Sequence, residues 1–153
     1  PHRRRSRTPQ HRGVDGASPV PSVAADGDTA TAATDMVATW RQQMEQLELT
    51  AALETVWSFV RTLNRLVEER APWKLAKDET QEALLDATLG ELVEGLLAVS
   101  HALSPVMPAT SARIAATFGV SETELSTWSW GLAAGRSVSR PEPLFPRLEV
   151  VAR

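Results

Sequence analysis

Two segments of the chain repeat the same apolar spacing, and that repetition constrains the fold more than any other feature. Leu49, Leu53, Val56, Val60, Leu63 and Val67 step by 4, 3, 4, 3 and 4 residues, and Leu85, Leu89, Leu92, Leu96, Val99 and Leu103 do the same. A helix turns once in about 3.6 residues, so alternating steps of four and three gather one stripe along a helix packed against a near-parallel or antiparallel neighbour. Between the stripes stands Pro72, which has no amide hydrogen and pushes the residue before it out of helical conformation. The first helix is therefore expected to end near Arg70. Asp78 is a good N-cap for the next, with Glu79 and Glu82 meeting the positive end of its dipole. Matching stripes joined by a short loop predict an antiparallel helical hairpin.

The segment "DTATAATDMVATWRQQMEQLE" adds a helix over about 29–47, with Met36, Val37, Trp40, Met44 and Leu47 on one face, to be laid against the hairpin. A shorter fourth helix fits between Pro108 and Phe118, with Gly119 behind it as a C-cap. "SETELSTWSWGL" reads as a polar turn. Pro141, Pro143 and Pro146 then forbid a helix, so the end is expected to be extended, packing as an edge strand or a loop. Residues 1–28 mix Arg, Pro, Gly, Ser and Asp without an apolar period and read as linker or disorder. The expected organisation is a linker over 1–28, a helical bundle over 29–120 and an extended tail over 121–153. The fold class is all-α, an antiparallel up-and-down bundle with an irregular C-terminal tail.

At 153 residues and 42% apolar, the chain can bury one ordinary core. It has no cysteine, which excludes disulfides, thiolate metal sites and cysteine nucleophiles and suits a cytoplasmic setting. No apolar run has the ~18 residues of a membrane span, and the basic start is not followed by the apolar core of a signal peptide. The chain opens on Pro rather than Met, which suggests a processed product or a piece of something longer. Five of its 16 basic residues, Arg3, Arg4, Arg5, Arg7 and Arg12, fall in the first 12 positions. The remainder carries 11 basic against 19 acidic side chains, so a broad phosphate-binding face is excluded and DNA is not an expected partner. Any RNA contact must be local.

A catalytic constellation is hard to assemble from these residues. His101 is the one histidine of the expected bundle, and the Glu-x-x-His repeat of di-metal bundles is absent, so it reads as structural. Glu82 with Asp86, and Glu91 with Glu94, are spaced as a solvated helix face would space them. Attention falls on "ERAPWKLAKD". A Trp just past a helix end can plug the open end of a bundle, or it can offer a π face to an unstacked base. Arg70, Lys74 and Lys77 flank Trp73 with enough positive charge for a few phosphates, tempered by Glu68, Glu69 and Asp78. Trp40 and Trp57 fall on or beside the apolar stripes and are expected in the core.

"LETVWSFVRTLNRLVEERAPWKLAKD" followed by "LLAVSHALSPVMPATSARI" resembles the anticodon-binding domain of methionyl-tRNA synthetases. In that family a helix bearing an Asn-Arg pair runs into Ala-Pro-Trp, and the next long helix ends in Pro-x-Met-Pro. Here those are Asn64, Arg65, Ala71, Pro72, Trp73, Pro105, Met107 and Pro108. "WGL" and "PLFPRLE" are similar to the end of the family's core enzyme, and the likeness covers about residues 35–149. It implies a bundle of the class I synthetase anticodon-binding type. It also implies that Trp73 stacks on anticodon bases of the methionine tRNA while Pro72 shapes the loop. Asn64 and Arg65, beside the apolar stripe, read as residues that hold neighbouring helices or the loop. The family also reads the anticodon with a Gly-Asn-x-x-x-Arg motif. The nearest match is "RRRSRT", where Arg7 stands for the arginine but Arg3 occupies the asparagine position.

The catalytic domain of such ligases, with its "HIGH" and "KMSKS" type motifs and zinc-binding insertion, is missing, so this chain alone is not expected to aminoacylate. No cofactor is expected in it. ATP and magnesium, and a catalytic domain in cis, belong to the intact enzyme that the resemblance implies. Two alternatives stay open: a helical protein-interaction module without RNA affinity, and the anticodon domain of a related class I synthetase.

Overall fold

The computed structural model describes residues 19–140 and 143–145. Arg7 with the rest of the arginine run, and Pro141 and Pro146, lie outside them. The described residues form α1 (Asp28–Glu45), α2 (Leu49–Arg70), a single turn α3 (Pro72–Leu75), α4 (Glu82–Leu103), α5 (Pro108–Thr117) and α6 (Glu122–Ser126). The expected all-α bundle is present: α1, α2 and α4 pack on one another, and α5 and α6 cover the other side of α4.

Local chemistry explains the boundaries. Helix α2 stops at Ala71, whose φ of 41° and ψ of 63° place it in the left-handed region, because Pro72 disfavours helical backbone in the residue before it. Pro72 itself opens α3 at the first helical position, where a missing amide costs nothing. Asp78 does act as a cap, but of a 3₁₀ turn, Glu79–Gln81, that precedes α4; its Oδ1 accepts from the Thr80 amide at 2.9 Å and the Thr80 hydroxyl at 2.6 Å. Those bonds hold the Asp78 carboxyl below its ordinary pKa.

Three sequence expectations need correction. "SETELSTWSWGL" is not all turn: the Ser121 hydroxyl accepts from the Glu124 amide while the Glu124 carboxylate accepts from the Ser121 amide, a capping box that starts α6. Of the segment assigned to a linker, residues 19–27 are seated in the fold. The Val20 amide donates to the Arg136 carbonyl and the Gly135 amide to the Val20 carbonyl, both at 2.8 Å, next to an antiparallel bridge between Pro19 and Ser137. The Trp130 indole N–H donates to the Ala24 carbonyl at 3.1 Å. Short polar segments can order this way when their backbone groups find partners, which periodicity does not report. The third concerns the stripes. Helix α2 buries Ala52, Val56, Phe59 and Leu63, leaving Leu49 at the edge, and Trp57 is 52% exposed rather than core. Trp40 is buried as expected.

Helix α4 lies between two apolar clusters. Ala98, Val99 and Ala102 face Met36, Trp40, Val56 and Phe59, while Leu97 faces Val20, Ala115, Val120, Leu125 and Ala133. Two glycines let neighbours approach. A Cβ on Gly95 would stand 2.6 Å from Leu63 Cδ2, and one on Gly90 would stand 2.5 Å from Val23 Cγ1 and 2.8 Å from the Pro21 carbonyl oxygen. Glu94 is 1% exposed and its Oε1 accepts from the Ala133 amide at 2.8 Å, within a turn whose amides at 131, 132 and 134 also point at the carboxyl. Burial still dominates and pushes its pKa above the usual carboxylate range. His101 is likewise structural: its Nδ1–H donates to the Leu125 carbonyl at 2.8 Å, its ring packs between Trp40 and Trp128, and burial lowers its pKa.

Three outcomes are expected. Gly90→Ala should cost roughly 1–3 kcal/mol in urea unfolding, because the added methyl meets backbone of the 19–24 segment as well as a side chain. For Glu94, a folded pKa above the unfolded one means that the native state holds the proton longer. Stability therefore falls as pH rises from the ordinary carboxylate range through the folded pKa. Glu94→Gln, which keeps an acceptor for Ala133, should flatten that decline as pH rises above about 4.5. Glu94→Ala should lose about 2 kcal/mol at low pH by orphaning the amide and leaving a cavity, a deficit that narrows as pH rises and the ionised Glu94 of the unaltered chain loses its advantage.

Candidate functional site

The turn between α2 and α4 is held from both sides. Its own backbone is satisfied: the Ala71 amide donates to the Val67 carbonyl at 2.9 Å, Lys74 to Ala71 at 2.7 Å, Ala76 to Pro72 at 2.9 Å, and Asp78 to Leu75 at 3.1 Å. Ala71 is buried beneath it. A turn whose left-handed residue is buried and whose amides are paired has little freedom to move.

Side chains fasten this turn to the bundle. Arg70 Nη1 donates to Glu91 Oε1 at 2.9 Å, and at 3.4 Å to Thr88 Oγ1. Glu91 Oε2 accepts from the Thr29 hydroxyl at 2.7 Å. One carboxylate on α4 thus joins the end of α2 to the start of α1. By sequence Arg70 stands with Lys74 and Lys77 as a phosphate contact. Its guanidinium instead forms a half-buried ion pair, at 31% and 19% side-chain exposure for the two partners, where it fixes the turn.

Above this base Trp73 is 54% exposed, and Pro72 directly precedes it at the helix start. The plug reading required the indole to be covered, and it is not. Lys74 and Lys77 are exposed on the same turn, with Asp78 and Glu79 beyond them. Asn64 and Arg65 do not hold neighbouring helices as the sequence suggested. Both are exposed, and Arg65 lies 3.9 Å from Glu69 on its own helix. Their positions, about 120° and about 140° around α2 from its buried centre between Phe59 and Leu63, explain this.

The arrangement offers a rigid, open aromatic face with mobile positive charge beside it, which suits stacking and weak anion contact rather than bond chemistry. Among the described residues no group of three His, Asp or Glu side chains is placed to hold a metal ion. His101 and Glu94 are enclosed in the core. The Arg70–Glu91 anchor was not found by sequence reasoning. The signal available was a Glu on α4 at a spacing read as solvated, opposite a helix end rich in charge.

Comparisons with known proteins bear on this geometry. Residues 20–151 match the family model described as the anticodon binding domain of methionyl tRNA ligase. A methionine–tRNA ligase of Fusobacterium nucleatum is 32% identical over 123 residues, covering 76% of this chain and 19% of that protein. The apo methionyl-tRNA synthetase of Mycobacterium tuberculosis superposes with a TM-score of 0.77 at 26% identity, covering 91% of this chain and 29% of that one. The same enzyme bound by methionyl-adenylate gives a TM-score of 0.76 at 24% identity, covering 88% and 28%. The chain thus spans about a fifth of the length of the curated relatives it matches. It belongs to the family of methionyl-tRNA ligase anticodon-binding domains.

Proposed function

We propose that this chain recognises the anticodon stem-loop of the methionine tRNA as the RNA-reading part of a methionine–tRNA ligase, and that Trp73 carries the recognition. The observation behind this reading is the half-exposed indole of Trp73 on a turn immobilised by Pro72, Ala71 and the Arg70–Glu91 pair. An unstacked anticodon base gains on the order of 1–3 kcal/mol on such a face. Pro72 sets the direction from which the indole is presented, and Lys74 and Lys77 meet backbone phosphates as mobile point charges. Arg70 acts at one remove, by holding the turn.

Aminoacylation belongs to the intact ligase, with a catalytic domain in cis and ATP with magnesium supplying activation in the cytoplasm. The methionyl-adenylate carried by the Mycobacterium tuberculosis enzyme supports the ATP part of that reading. The acidic balance of the rest of the chain makes binding by this segment alone weak and salt-sensitive.

The experiment is titration of a labelled methionine anticodon stem-loop against the chain and its variants by fluorescence anisotropy. Trp73→Ala should weaken binding roughly 5- to 150-fold, the equivalent of one lost stack, with an unchanged melting temperature because the side chain is half exposed. Lys74→Ala should lower the salt dependence by about 0.7 in log–log slope, one phosphate contact on a single strand. Equal affinity of Trp73→Ala and the unaltered chain would remove the stacking assignment.

A further inference from the structure

Between Glu54 and Glu68, helix α2 turns a face to water that carries no acid. Its exposed side chains there are Trp57, Ser58, Arg61, Asn64 and Arg65. Ser58, Arg61 and Arg65 step by three and four residues, which gathers them within about 60° of arc and about 10 Å of axis. Arg61 has no ion-pair partner among the described residues, and Arg65 comes no closer to Glu69 than 3.9 Å. Arg70 and Arg136, by contrast, have carboxylates at 2.9 and 2.6 Å. Two cations one helical turn apart repel, so this pair lacks a compensating anion within the chain. The axis of α2 leads from the stripe to the presented tryptophan. Arg65 precedes Arg70, the last residue of the helix, by about 7.5 Å of rise and Arg61 by about 13.5 Å, and Trp73 follows three residues on.

We propose that this face of α2 seats the double-stranded stem of the RNA whose loop reaches Trp73, with Arg61 and Arg65 on backbone phosphates. The proposal rests on the anticodon reading above and extends it from loop to stem. Trp73 takes unstacked bases, which belong to the loop, so the RNA that continues back along α2 is the paired stem. Duplex RNA is held mainly through phosphates and 2′-hydroxyls, because its deep, narrow major groove keeps side chains from the base edges. The guanidinium fork matches a phosphate, and the exposed Ser58 hydroxyl adds a donor on the same line. Glu54 and Glu68 close the seat at its two ends, which limits the footprint to one or two phosphates in an otherwise acidic chain. Such contacts carry no sequence information; they fix register and orientation. Register matters here, since the loop base must arrive over an indole whose turn has little freedom to adjust.

The test is anisotropy titration of the chain from about 50 to about 200 mM salt with two probes. One is the methionine anticodon stem-loop, and the other is the same molecule with uncharged methylphosphonate linkages in its stem. On the first, Arg61→Ala and Arg65→Ala should each lower the log–log salt slope by about 0.9, one contact on a duplex, so that affinity falls roughly threefold less across that range. On the second, both variants should match the unaltered chain. Arg61→Lys should keep the slope, since a point charge still meets the phosphate. Arg41→Ala, the same loss of charge on α1 near His101, should leave it unchanged. The substituted side chains are exposed, so all variants should melt with the unaltered chain. Unchanged slopes in Arg61→Ala and Arg65→Ala overturn the proposal. So does an equal drop on both probes, which would place the arginines on the loop. An equal effect of Arg41→Ala also overturns it, by reducing the stripe to the general field of the chain. Trp73→Ala reports separately: if it binds as the unaltered chain does while Arg61→Ala still lowers the slope, the stacking assignment falls and the stem seat stands.

Discussion

Helix α4 can run between two apolar layers only because its sequence removes volume at some positions and places one charge at another. Gly90 and Gly95 let the 19–24 segment and Leu63 come within a distance that any side chain would forbid. Glu94 then accepts from the Ala133 amide at 2.8 Å, a buried donor that would otherwise lack an acceptor. The carboxylate tolerates a buried position because its partners are fixed backbone dipoles, though burial still raises its pKa. Through these contacts one helix holds both ends of the described chain, since Val20 pairs with residues 135 and 136 across it.

The presented tryptophan depends on the same helix. Glu91, one turn before the buried Glu94 region, holds Arg70 and Thr29 together, and so decides where α2 stops relative to α1. Pro72 disfavours right-handed helical backbone at Ala71, which takes the left-handed region with its residue buried. The site is therefore passive: a stiff base and an open ring. Arginine suits the base because its planar group can satisfy Glu91 and Thr88 at once, whereas the lysines stay free to follow a phosphate.

Much of this could be read from residues. Proline at 72, the Gly119 cap with its φ of 66°, and the two long helices follow from local rules that need no partner. The capping box at Ser121 and Glu124 is equally local, but the polarity around it reads as a turn. The facing of α2 was not legible, because its apolar arc is wider than the bundle covers. Leu49 and Trp57 extend the pattern Val56 and Leu63 belong to, and periodicity cannot say which edge of a wide arc meets α1 and α4. The roles of Glu91 and Glu94 were hidden for a related reason: a carboxylate at helical spacing looks solvated until the turn or guanidinium that meets it is in place.

The sequence by itself determined the four longer helices, the stop of α2, the family likeness and the position of Trp73 just past that stop, since each rests on backbone chemistry and local spacing. Tertiary structure decided which faces are inside. It made Arg70 an anchor, enclosed Glu94 and His101, seated residues 19–27 on Gly90, and left Trp57 and the α4 leucines open. Those outcomes depend on distances between residues far apart in the chain, and burial, hydrogen-bond satisfaction and electrostatic pairing are properties of such distances alone.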